Sequence, residues 1–406
     1  MAYQLRTADP RSDEGLTALL DTAFQRPDRE SRLVRTLSEH MPSFDPGLSL
    51  VATEEGRDVA FALFLPRRFR FRGCEVPLVI SSPFCALPEV RGQGAGRFLL
   101  ETGLAALADR GIRGALVLGG SGFFQRNGYR GAFNLYTIDA QRELASDQPS
   151  DAEWSGLTAE DIPHLEALYA ANYSGVTGSE VRTSAPIDWE SSGGDAYTVV
   201  SRRDGQATAY LRFRVREKLA VMECGARDAA AVADVRAFIK RLAEEHNRPS
   251  VEVHLPPPHP VFRALFRAGC MAEGNSFHDE ARLKITDWKG FLQDIAPSFG
   301  HALRMTSTKS VSFAIETPAG TKTFGLETAN KRAVKVTAQK SKKHLVIPAD
   351  WAEPLMTGRL DWRDLYFAAG PGSKLQKDFG RELLSLLFPS GTPMWTYSPI
   401  FEIADE

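Results

Sequence analysis

Apolar residues follow helical or strand spacing along most of the chain, and their order indicates three successive groups of elements. In the first group, apolar residues recur every three or four positions over Glu14–Phe24, and a second helix begins at Asp28. Strands are predicted next over Leu48–Glu54, Val59–Phe71 and Val76–Leu87. This order predicts a sheet that is preceded in the chain by two amphipathic helices.

The middle of the chain repeats this order of elements. The polar segment Ala140–Trp154 is predicted to be a linker, because it is rich in Asp, Ser and Gln and contains Pro149. A helix over Asp161–Tyr173 precedes three predicted strands, and a helix over Ala229–His246 precedes a fourth. The repetition predicts a second domain that is built like the first.

The last part of the chain has a different pattern, in which apolar and polar residues alternate. The alternation predicts an antiparallel sheet with one solvated face. Its strands are predicted over Ser310–Glu316, Thr321–Thr328 and Val334–Ala338. Helices are predicted over Pro348–Gly358 and Leu375–Leu387. The fold class is therefore predicted to be α/β (α+β), with two mixed-sheet domains followed by an α+β domain.

Composition and charge narrow the classes of function. The 406 residues are enough for two or three domains. A net charge of −2 gives no sign of a nucleic-acid or membrane partner, and no apolar run is long enough to span a bilayer. The start of the chain lacks the apolar core of a signal peptide, and the four cysteines form no C-x-x-C pair. The protein is therefore expected to be cytoplasmic, with reduced thiols.

The strongest candidate for chemistry is Phe84–Arg97, where a strand gives way to a glycine-rich turn and then to a helix. Unpaired N–H groups and the helix dipole attract anions there, and glycines let a pyrophosphate approach. No Lys-Ser/Thr pair follows the glycines, and Leu99 occupies the third glycine position of the dinucleotide pattern. What remains is R-x-x-G-x-G, from Arg91 to Gly96. The alternative is a strand-to-helix turn that binds no ligand.

This R-x-x-G-x-G turn resembles the acetyl-coenzyme A loop of the GNAT N-acetyltransferases. Phe123–Tyr129 resembles the short helix and the closing Gly-aromatic pair of the same family. The resemblance implies acetyl-coenzyme A as the cosubstrate, and no metal. It also implies cofactor-binding residues in the strand, in the turn and at one later serine, namely Phe84, Cys85, Ala86, Arg91, Gly92, Gln93, Gly94, Ala95, Gly96, Arg97 and Ser121.

Phe124 occupies the catalytic position at which GNAT enzymes commonly carry the tyrosine that protonates the leaving sulfur. Phenylalanine cannot donate a proton, but a thiol pKa of about 8.5 makes thiolate a tolerable leaving group. Water, Ser121 or Tyr129 could supply the proton instead. Two functions follow as alternatives. One is an N-acetyltransferase that acts on a primary amine by direct attack on the thioester, and the other is a coenzyme A-binding sensor or scaffold without turnover.

The middle domain lacks the glycine-rich turn of the first domain. Gly225–Ala230 stands where Arg91–Gly96 stands in the first domain, the paired glycines are gone, and Asp228 adds a negative charge. We therefore expect no coenzyme site there. His254 and His259 flank a proline run that does not bring two imidazoles together for a metal, so a loop with solvated imidazoles is expected.

The predicted order of domains is two GNAT-like folds followed by a fold that resembles the sterol carrier protein. This order is similar to that of the enhanced intracellular survival family of acetyltransferases. This resemblance implies domains at 1–145, 146–290 and 291–406, and assembly into a homo-oligomer. It also implies that the terminal carboxylate, here that of Glu406, is the catalytic base of the first domain. The tail runs on past Phe401, however, and a frayed acidic end is the alternative.

The acceptor is expected to be a small-molecule or protein amine that binds between the opening helices and the tail. Asp28, Glu30 and Glu39 could attract a cationic amine there, although helix-start charges and solvated faces also explain them. A third function, transport of an apolar ligand by the last domain, would need an apolar cavity.

Overall fold

The computed structural model describes residues 3–119, 122–147, 150–190, 196–275, 281–317, 320–329, 333–369 and 379–396. The strands are β1 (Gln4–Thr7), β2 (Ser49–Glu54), β3 (Arg57–Phe71), β4 (Cys74–Ala86), β5 (Gly114–Leu118), β6 (Arg130–Gly131), β7 (Leu135–Gln141), β8 (Glu153–Gly156), β9 (Ala196–Arg203), β10 (Gln206–Val215), β11 (Leu219–Ala226), β12 (Ser250–His254), β13 (Met271–Asn275), β14 (Ala281–Ile285), β15 (Ser310–Thr317), β16 (Gly320–Thr328), β17 (Val334–Thr337) and β18 (His344–Ile347). The α-helices are α1 (Glu14–Phe24), α2 (Arg29–His40), α3 (Ala95–Ala108), α4 (Gly122–Arg126), α5 (Arg142–Ala145), α6 (Ile162–Tyr173), α7 (Ala229–Glu245), α8 (Pro260–Arg267), α9 (Trp288–Met305), α10 (Ala352–Thr357), α11 (Trp362–Ala369) and α12 (Arg381–Leu387). The predicted α/β class is confirmed.

The first sheet has the strand order β1-β2-β3-β4-β5-β14-β6. Its centre is the long antiparallel pair β3–β4, which extends from Ala60↔Ala86 to Phe71↔Cys74. Most apolar side chains of these two strands are buried on both faces of the sheet. Helix α3 approaches β3 so closely that a Cβ at Gly103 would lie 2.2 Å from the Phe64 ring, so only glycine fits there.

Two strands, β7 and β14, pair in a different sheet from the strand that precedes each of them in the chain. β7 belongs to the second sheet, whose order is β13-β7-β12-β11-β10-β9-β8. β14 returns to the first sheet and pairs antiparallel with β5, from Ala281↔Leu118 to Ile285↔Gly114. Both sheets therefore cross the predicted boundary at 145, and helix α9 spans the one at 290. The three-domain division stays a prediction.

The prediction of a linker over Ala140–Trp154 is wrong for the first part of that segment. Ala140 is a fully buried residue of β7, and α5 follows directly and packs against α7. The polar composition of the segment misled because β7 and α5 each leave one side partly open to solvent.

The third sheet has the order β17-β16-β15-β18. β15 and β16, and β16 and β17, pair antiparallel as predicted, whereas β18 joins β15 in parallel. Helix α9 packs against β17 of this sheet and against β4 of the first sheet. It therefore forms a shared part of the core between the first and third groups of elements.

The turn between β3 and β4 carries Arg72 into the third group of elements. Its guanidinium donates hydrogen bonds to the Leu387 carbonyl at 2.8 Å and to the Leu386 carbonyl at 3.4 Å, at the end of α12. It also lies over the Phe299 ring, 4.5 Å from the centroid. Burial lowers the pKa of Arg72 to about 10, and the helix terminus and the π face stabilise the buried cation.

A buried ion cluster joins β3 to the segment that follows α6. The Arg67 guanidinium pairs with Glu180 and, at 2.6 Å, with Asp188, and all three side chains are at most 4 % exposed. Beside the cluster, the Gly178 N–H donates to the Arg70 carbonyl at 2.8 Å. Charged groups and backbone bonds thus hold the first sheet against the second group of elements.

The last described residues lie between the first and second groups of elements. The Met394 N–H donates to the Thr177 carbonyl at 2.9 Å. Trp395 packs edge-on against Phe69 of β3, with ring centroids 6.1 Å apart. Residues 397–406, which include Glu406, lie outside the described residues.

Glu353 of α10 is a buried carboxyl group beside β14. It is 5 % exposed, and its Oε1 accepts a hydrogen bond from the Ile285 N–H at 3.2 Å. Burial raises the pKa of Glu353 from 4.5 to about 7, and the charges of Arg130 and Lys284 oppose this shift only in part. The carboxyl group is therefore still protonated in the folded protein at pH values at which it is ionised in the unfolded chain.

The free energy of unfolding is expected to fall as pH rises from 4.5 to 7, because the unfolded chain loses the Glu353 proton first. The loss is complete above about pH 7 and amounts to about 3 kcal/mol. The variant Glu353→Gln stays neutral, so we expect it to be more stable than the wild type at pH 8 and nearly equal to it at pH 5. Urea unfolding at both pH values measures the difference, with the exposed Glu316→Gln as control. The same difference at both pH values would contradict the role of Glu353.

Candidate functional site

β4 and β5 separate in the middle of the first sheet, and a cleft opens where they part. Their parallel pairing is limited to Val79↔Ala115 and Ile80↔Leu116, so the part of β4 that follows Ile80 runs beside a gap. The cleft has a volume of about 660 Å³. Most of the predicted site residues line it, namely Phe84, Cys85, Ala86, Arg91, Gly92, Gly94, Gly96, Arg97 and Phe124.

The pairing of β4 with β3 decides which of its N–H groups face the gap. The Leu87 N–H donates to β3 at 2.9 Å, whereas the Ala86 carbonyl accepts a hydrogen bond from Arg91 on the other side. The N–H and C=O of one strand residue point the same way, and this direction alternates along the strand. The N–H groups of Phe84 and Ala86 therefore face the gap, and that of Cys85 faces β3.

The glycine turn leads directly into the first turn of α3. Gly92 and Gly94 have φ angles of 79° and 106°, which glycine adopts without strain. The first hydrogen bond of the helix runs from the Phe98 N–H to the Gly94 carbonyl, so the N–H groups of residues 95–97 precede it. These three N–H groups, and those of Gly92 and Gly94, have no acceptor among the described residues. We call residues 92–97 the cradle, because their N–H groups form a positively polarised surface.

The polar side chains around the cradle hold its shape. Arg91 donates to the carbonyls of Ala86 at 3.1 Å and Ala23 at 2.7 Å, so it joins the end of β4 to α1. The Gln93 amide donates to a backbone carbonyl of the preceding turn at 2.7 Å, and Arg97 pairs with an acidic residue one helical turn later at 2.8 Å. Arg91 thus fixes the cleft and leaves its positive charge beside the cradle.

Aromatic rings form the wall of the cleft beside α4. The centroid of the Phe124 ring lies 5.6 Å from that of Phe84, 5.2 Å from that of Phe123 and 5.4 Å from that of Tyr129, each in an edge-to-face arrangement. Phe124 is only 7 % exposed and yet lines the cleft. The ring therefore supplies packing surface at the predicted acid position and offers no proton.

Two buried hydroxyl groups, those of Tyr129 and Ser81, lie behind this wall. Tyr129 is fully buried; burial raises its pKa, and the nearby Ser81 hydroxyl opposes the shift only in part. Neither hydroxyl makes a hydrogen bond of normal geometry with a described residue. Because Phe124 rather than Tyr129 lines the cleft, this tyrosine is a poor source of protons for it.

Cys85 lines the cleft as an apolar group. Burial, above all, raises the pKa of its thiol to about 12, so the thiol is protonated at neutral pH. A thiol that stays protonated is a poor nucleophile. Cys85 therefore shapes the wall of the cleft rather than forming a covalent intermediate.

Two predicted site residues lie outside the described part of the chain, and the cleft has further lining residues that were not predicted. Ser121 and Glu406 lie outside the described residues, so their roles stay predictions. Lining residues that the sequence did not suggest are Ala23, Phe24, Val90, Arg126 and Asn127. The first two end α1, and only the fold brings that end to the cleft. Arg126 and Asn127 lie within the Phe123–Tyr129 motif, whose spacing was a signal for them.

The corresponding place in the second sheet has a different chemistry. Asp228 accepts a hydrogen bond from the Ala231 N–H at 2.9 Å, so a carboxylate of the chain already caps the start of α7. His259 is fully buried where β11 and β12 part, with its Nε2 3.1 Å from the Cys224 carbonyl. Both features support the prediction that no coenzyme binds there.

The prediction of solvated imidazoles is wrong for His259. Burial lowers its pKa to about 3, and its Nδ1 accepts a hydrogen bond from the Val261 N–H at 3.2 Å, at the start of α8. The proline run suggested an exposed loop, but the imidazole turns inward to cap the helix. Among the described residues, no group of three or more His, Cys, Asp or Glu side chains could hold a metal ion. Within the part of the chain that the structure describes, no helix is both long and apolar enough to cross a membrane.

A family profile and the sequences of known proteins are similar to part of the chain. The profile of the family described as Acetyltransferase (GNAT) domain matches residues 4–131. The uncharacterized N-acetyltransferase YjhQ of Escherichia coli K12 is 37 % identical over 103 residues, which are 25 % of this chain and 55 % of YjhQ. The match thus spans only about half the length of that relative. YhbS, another uncharacterized N-acetyltransferase of Escherichia coli K12, is 30 % identical over 175 residues, or 43 % of this chain and 92 % of YhbS.

A solved structure extends the similarity to almost the whole chain. The crystal structure of Eis1 from Mycobacterium abscessus is 18 % identical in sequence and superimposes with a TM-score of 0.66. The superposition covers 98 % of this chain and 99 % of that one. At this level of identity, the similarity shows a shared fold.

Proposed function

The chain belongs to the GNAT acetyltransferase family, and from this premise we propose that it transfers the acetyl group of acetyl-coenzyme A to a primary amine. The observation that carries the proposal is the separation of β4 from β5 directly beside the unpaired N–H groups of the cradle. Acetyl-coenzyme A supplies an activated acetyl thioester. One cleft thus offers N–H donors for its pyrophosphate and further N–H donors for its acyl oxygen.

The residues present fit this cosubstrate. A Cβ added at Gly92 would meet no atom within 4 Å, so a phosphate group can reach the backbone there without steric hindrance. The wall formed by Phe84 and Phe124 is apolar and suits the uncharged arm of a coenzyme. The cleft volume of about 660 Å³ lies within the range that small-molecule sites use.

Each part of the cleft has one task in this proposal. The cradle N–H groups bind the pyrophosphate, and Arg91 holds the turn in shape. The N–H groups of Phe84 and Ala86 stabilise the negative charge that develops on the acyl oxygen, and each such donor contributes about 3 kcal/mol. The Phe124 ring excludes water from the wall of the cleft.

Because Phe124 cannot donate a proton, the coenzyme thiolate has no acid at that position when it leaves. A thiol pKa of about 8.5 allows the coenzyme thiolate to leave without an acid, although an acid contributes about 10²–10⁴ in rate. We therefore expect slow turnover. A coenzyme A-binding protein without turnover is the second candidate, and the buried Phe124 is the observation that favours it.

The purified protein distinguishes the two candidates. Calorimetry measures the binding of coenzyme A, and thiol release from acetyl-coenzyme A is followed with a panel of primary amines. Thiol release that depends on an amine supports the transferase. Binding without release on any amine supports the second candidate, and no binding of coenzyme A contradicts both.

We also propose the three-domain organisation of the enhanced intracellular survival family, with domains 1–145, 146–290 and a sterol-carrier-like 291–406. The fold shared with Eis1 supports this organisation. The resemblance assigns the base to Glu406, and the position of residues 393–396 beside the first sheet supports a tail that returns towards it. Homo-oligomeric assembly belongs to the same proposal.

The acceptor in this proposal is a small-molecule or protein amine, met in the cytoplasm, and neither nucleic acid nor membrane takes part. Transport of an apolar ligand by the last domain gains no support from the cleft beside α12. That cleft is lined mainly by cationic and hydroxyl side chains, among them Thr306, Ser307, Thr308, Lys309, Lys342 and Lys343.

A further inference from the structure

A second cleft lies between α7 and α8, in the second group of elements, and has a volume of about 550 Å³. Small or apolar residues line part of it, at the spacing of one face of each helix, namely Ala229, Val232 and Ala233 of α7, and Pro260 and Ala264 of α8. Four arginines also line it, namely Arg227 after β11, Arg236 of α7, and Arg263 and Arg267 of α8. We call it the arginine cleft.

The arginine cleft concentrates positive charge in a chain whose net charge is −2. Asp228 is the single acidic residue among the described residues that line it, so the lining side chains carry a net charge of +3. Arg227 pairs with Asp228 at 3.0 Å, and the Arg236 side chain donates to a backbone carbonyl of α5 at 2.7 Å. The guanidinium groups of Arg263 and Arg267 have no hydrogen-bond or ion-pair partner among the described residues. They lie one helical turn apart on the same face of α8.

The arginine cleft stands where the first cleft stands in the first sheet. β11 and β12 pair in parallel over two residues and then part, as β4 and β5 do, and α7 follows β11 as α3 follows β4. The gap itself is filled, because the buried side chains of His259 and Tyr173 both bond to the Cys224 carbonyl, at 3.1 and 3.0 Å. Of the described strand β11, only Ala226 lines the arginine cleft, whereas three residues of β4 line the first cleft. The arginine cleft thus has no slot for the uncharged arm of a coenzyme.

The donors of the arginine cleft are side chains rather than backbone groups. Asp228 accepts a hydrogen bond from the Ala231 N–H at 2.9 Å, so the start of α7 is already capped. A guanidinium group presents parallel N–H donors that match two oxygens of one phosphate group, and it stays charged at physiological pH. Two arginines on α8 and two from the elements opposite it therefore suit a ligand with two neighbouring phosphate groups. The alanine, valine and proline side chains add an apolar surface on which a flat ring can lie.

We propose that the arginine cleft binds a nucleoside diphosphate. The arginines bind its two phosphate groups, and the small apolar side chains contact its base and ribose. Its second phosphate ends the molecule, whereas the arm of coenzyme A continues from there and would meet the filled gap. A volume of about 550 Å³ lies within the range of small-molecule sites. The inference goes beyond acetyl transfer and does not depend on it, since the two clefts share no lining residue.

The experiment titrates ADP into the full chain by calorimetry. Every protein in it carries Gly94→Glu, because the pyrophosphate of ADP also fits the cradle and this substitution removes that site. We expect one ADP per chain, with an affinity that falls as NaCl screens the charges. Adding Arg263→Gln and Arg267→Gln should weaken ADP binding at least about tenfold. The matched control adds Arg241→Gln and Arg248→Gln, which remove two exposed charges of the same group of elements outside the cleft, and should leave the affinity unchanged.

Further titrations test the chemistry of the ligand. Pyrophosphate should bind more weakly than ADP, adenosine should not bind measurably, and coenzyme A should not compete with ADP. Asp228→Asn keeps an oxygen for the helix cap but removes the one carboxylate of the described lining. We therefore expect this variant to bind ADP about two- to fivefold more tightly.

Three results would overturn the inference. They are no ADP binding, equal ADP affinity in the arginine pair and its control, and binding of adenosine or pyrophosphate as tight as that of ADP. Thermal unfolding shows whether each variant is folded, and the wild type replaces Gly94→Glu if that variant is not. The substitutions at Arg263 and Arg267 should then remove one ADP site from the wild type. A failure of coenzyme A binding or of acetyl transfer leaves these titrations unaffected.

Discussion

Replacing Gly94 with glutamate is expected to abolish coenzyme A binding, with an affinity at least about 100-fold below that of the wild type. Gly94 has a φ angle of 106°, and a residue with a Cβ costs about 1–2 kcal/mol in this region. The new carboxylate would also stand beside the cradle N–H groups that a pyrophosphate needs, and the two anions repel each other. Strain and charge act in the same direction, so the expected effect is large.

Two variants separate the causes of this loss. Gly94→Ala keeps the strain without the charge, and we expect it to weaken binding about tenfold. Gly111→Glu is the matched control, because Gly111 also has a positive φ angle, of 66°, and lies beyond the opposite end of α3. Calorimetry with coenzyme A compares all three. If Gly94→Glu bound as tightly as Gly111→Glu, the assignment of the cradle would be wrong.

Arg67→Met is expected to lower the free energy of unfolding by about 3–5 kcal/mol. The substitution keeps an apolar stem but leaves the carboxylates of Glu180 and Asp188 without their cation, and these side chains are at most 1 % exposed. A buried charge without a partner costs far more than an ion pair contributes at the surface. Because the cluster joins β3 to the segment after α6, the contact between the two groups of elements is expected to weaken first.

The neighbouring Arg68 provides the control for this prediction. It lies on the same strand and pairs with Glu75 at 3.1 Å, but its side chain is 55 % exposed. We expect Arg68→Met to change stability by less than about 1 kcal/mol in urea unfolding. Adding Glu180→Gln and Asp188→Asn to Arg67→Met should recover part of the loss, since no charge then remains unpaired. A loss of the same size for both arginine variants would contradict the buried-charge argument.

Local signals predicted much of the fold. The strand, glycine turn and helix around Arg91–Gly96 depend on residues close together in the chain, and the structure has them where the sequence indicated. The two opening helices likewise follow their apolar spacing, as Glu14–Phe24 and Arg29–His40. The lining of the cleft by the cradle residues follows from the same local pattern.

Local sequence patterns could not predict which distant segments pair with each other. β14 lies between β5 and β6, although more than a hundred residues separate it from both, and its own sequence carries no sign of that position. Burial of polar groups was equally hidden. Glu30 and Glu39 look alike on an amphipathic helix, and only the packing of α2 on the sheet separates a buried carboxylate from a solvated one. His259 was misjudged for the same reason.

The place of β14 has a consequence for how the protein is made. Residues 281–285 emerge from the ribosome about 150 residues after β6, which corresponds to about 8–30 s of synthesis. Until then β5 lacks its neighbour on that side, and the nascent chain carries an open strand edge next to the forming cleft. The sheet around the cleft is therefore completed only after β14 has been made, well after the residues that line the cleft.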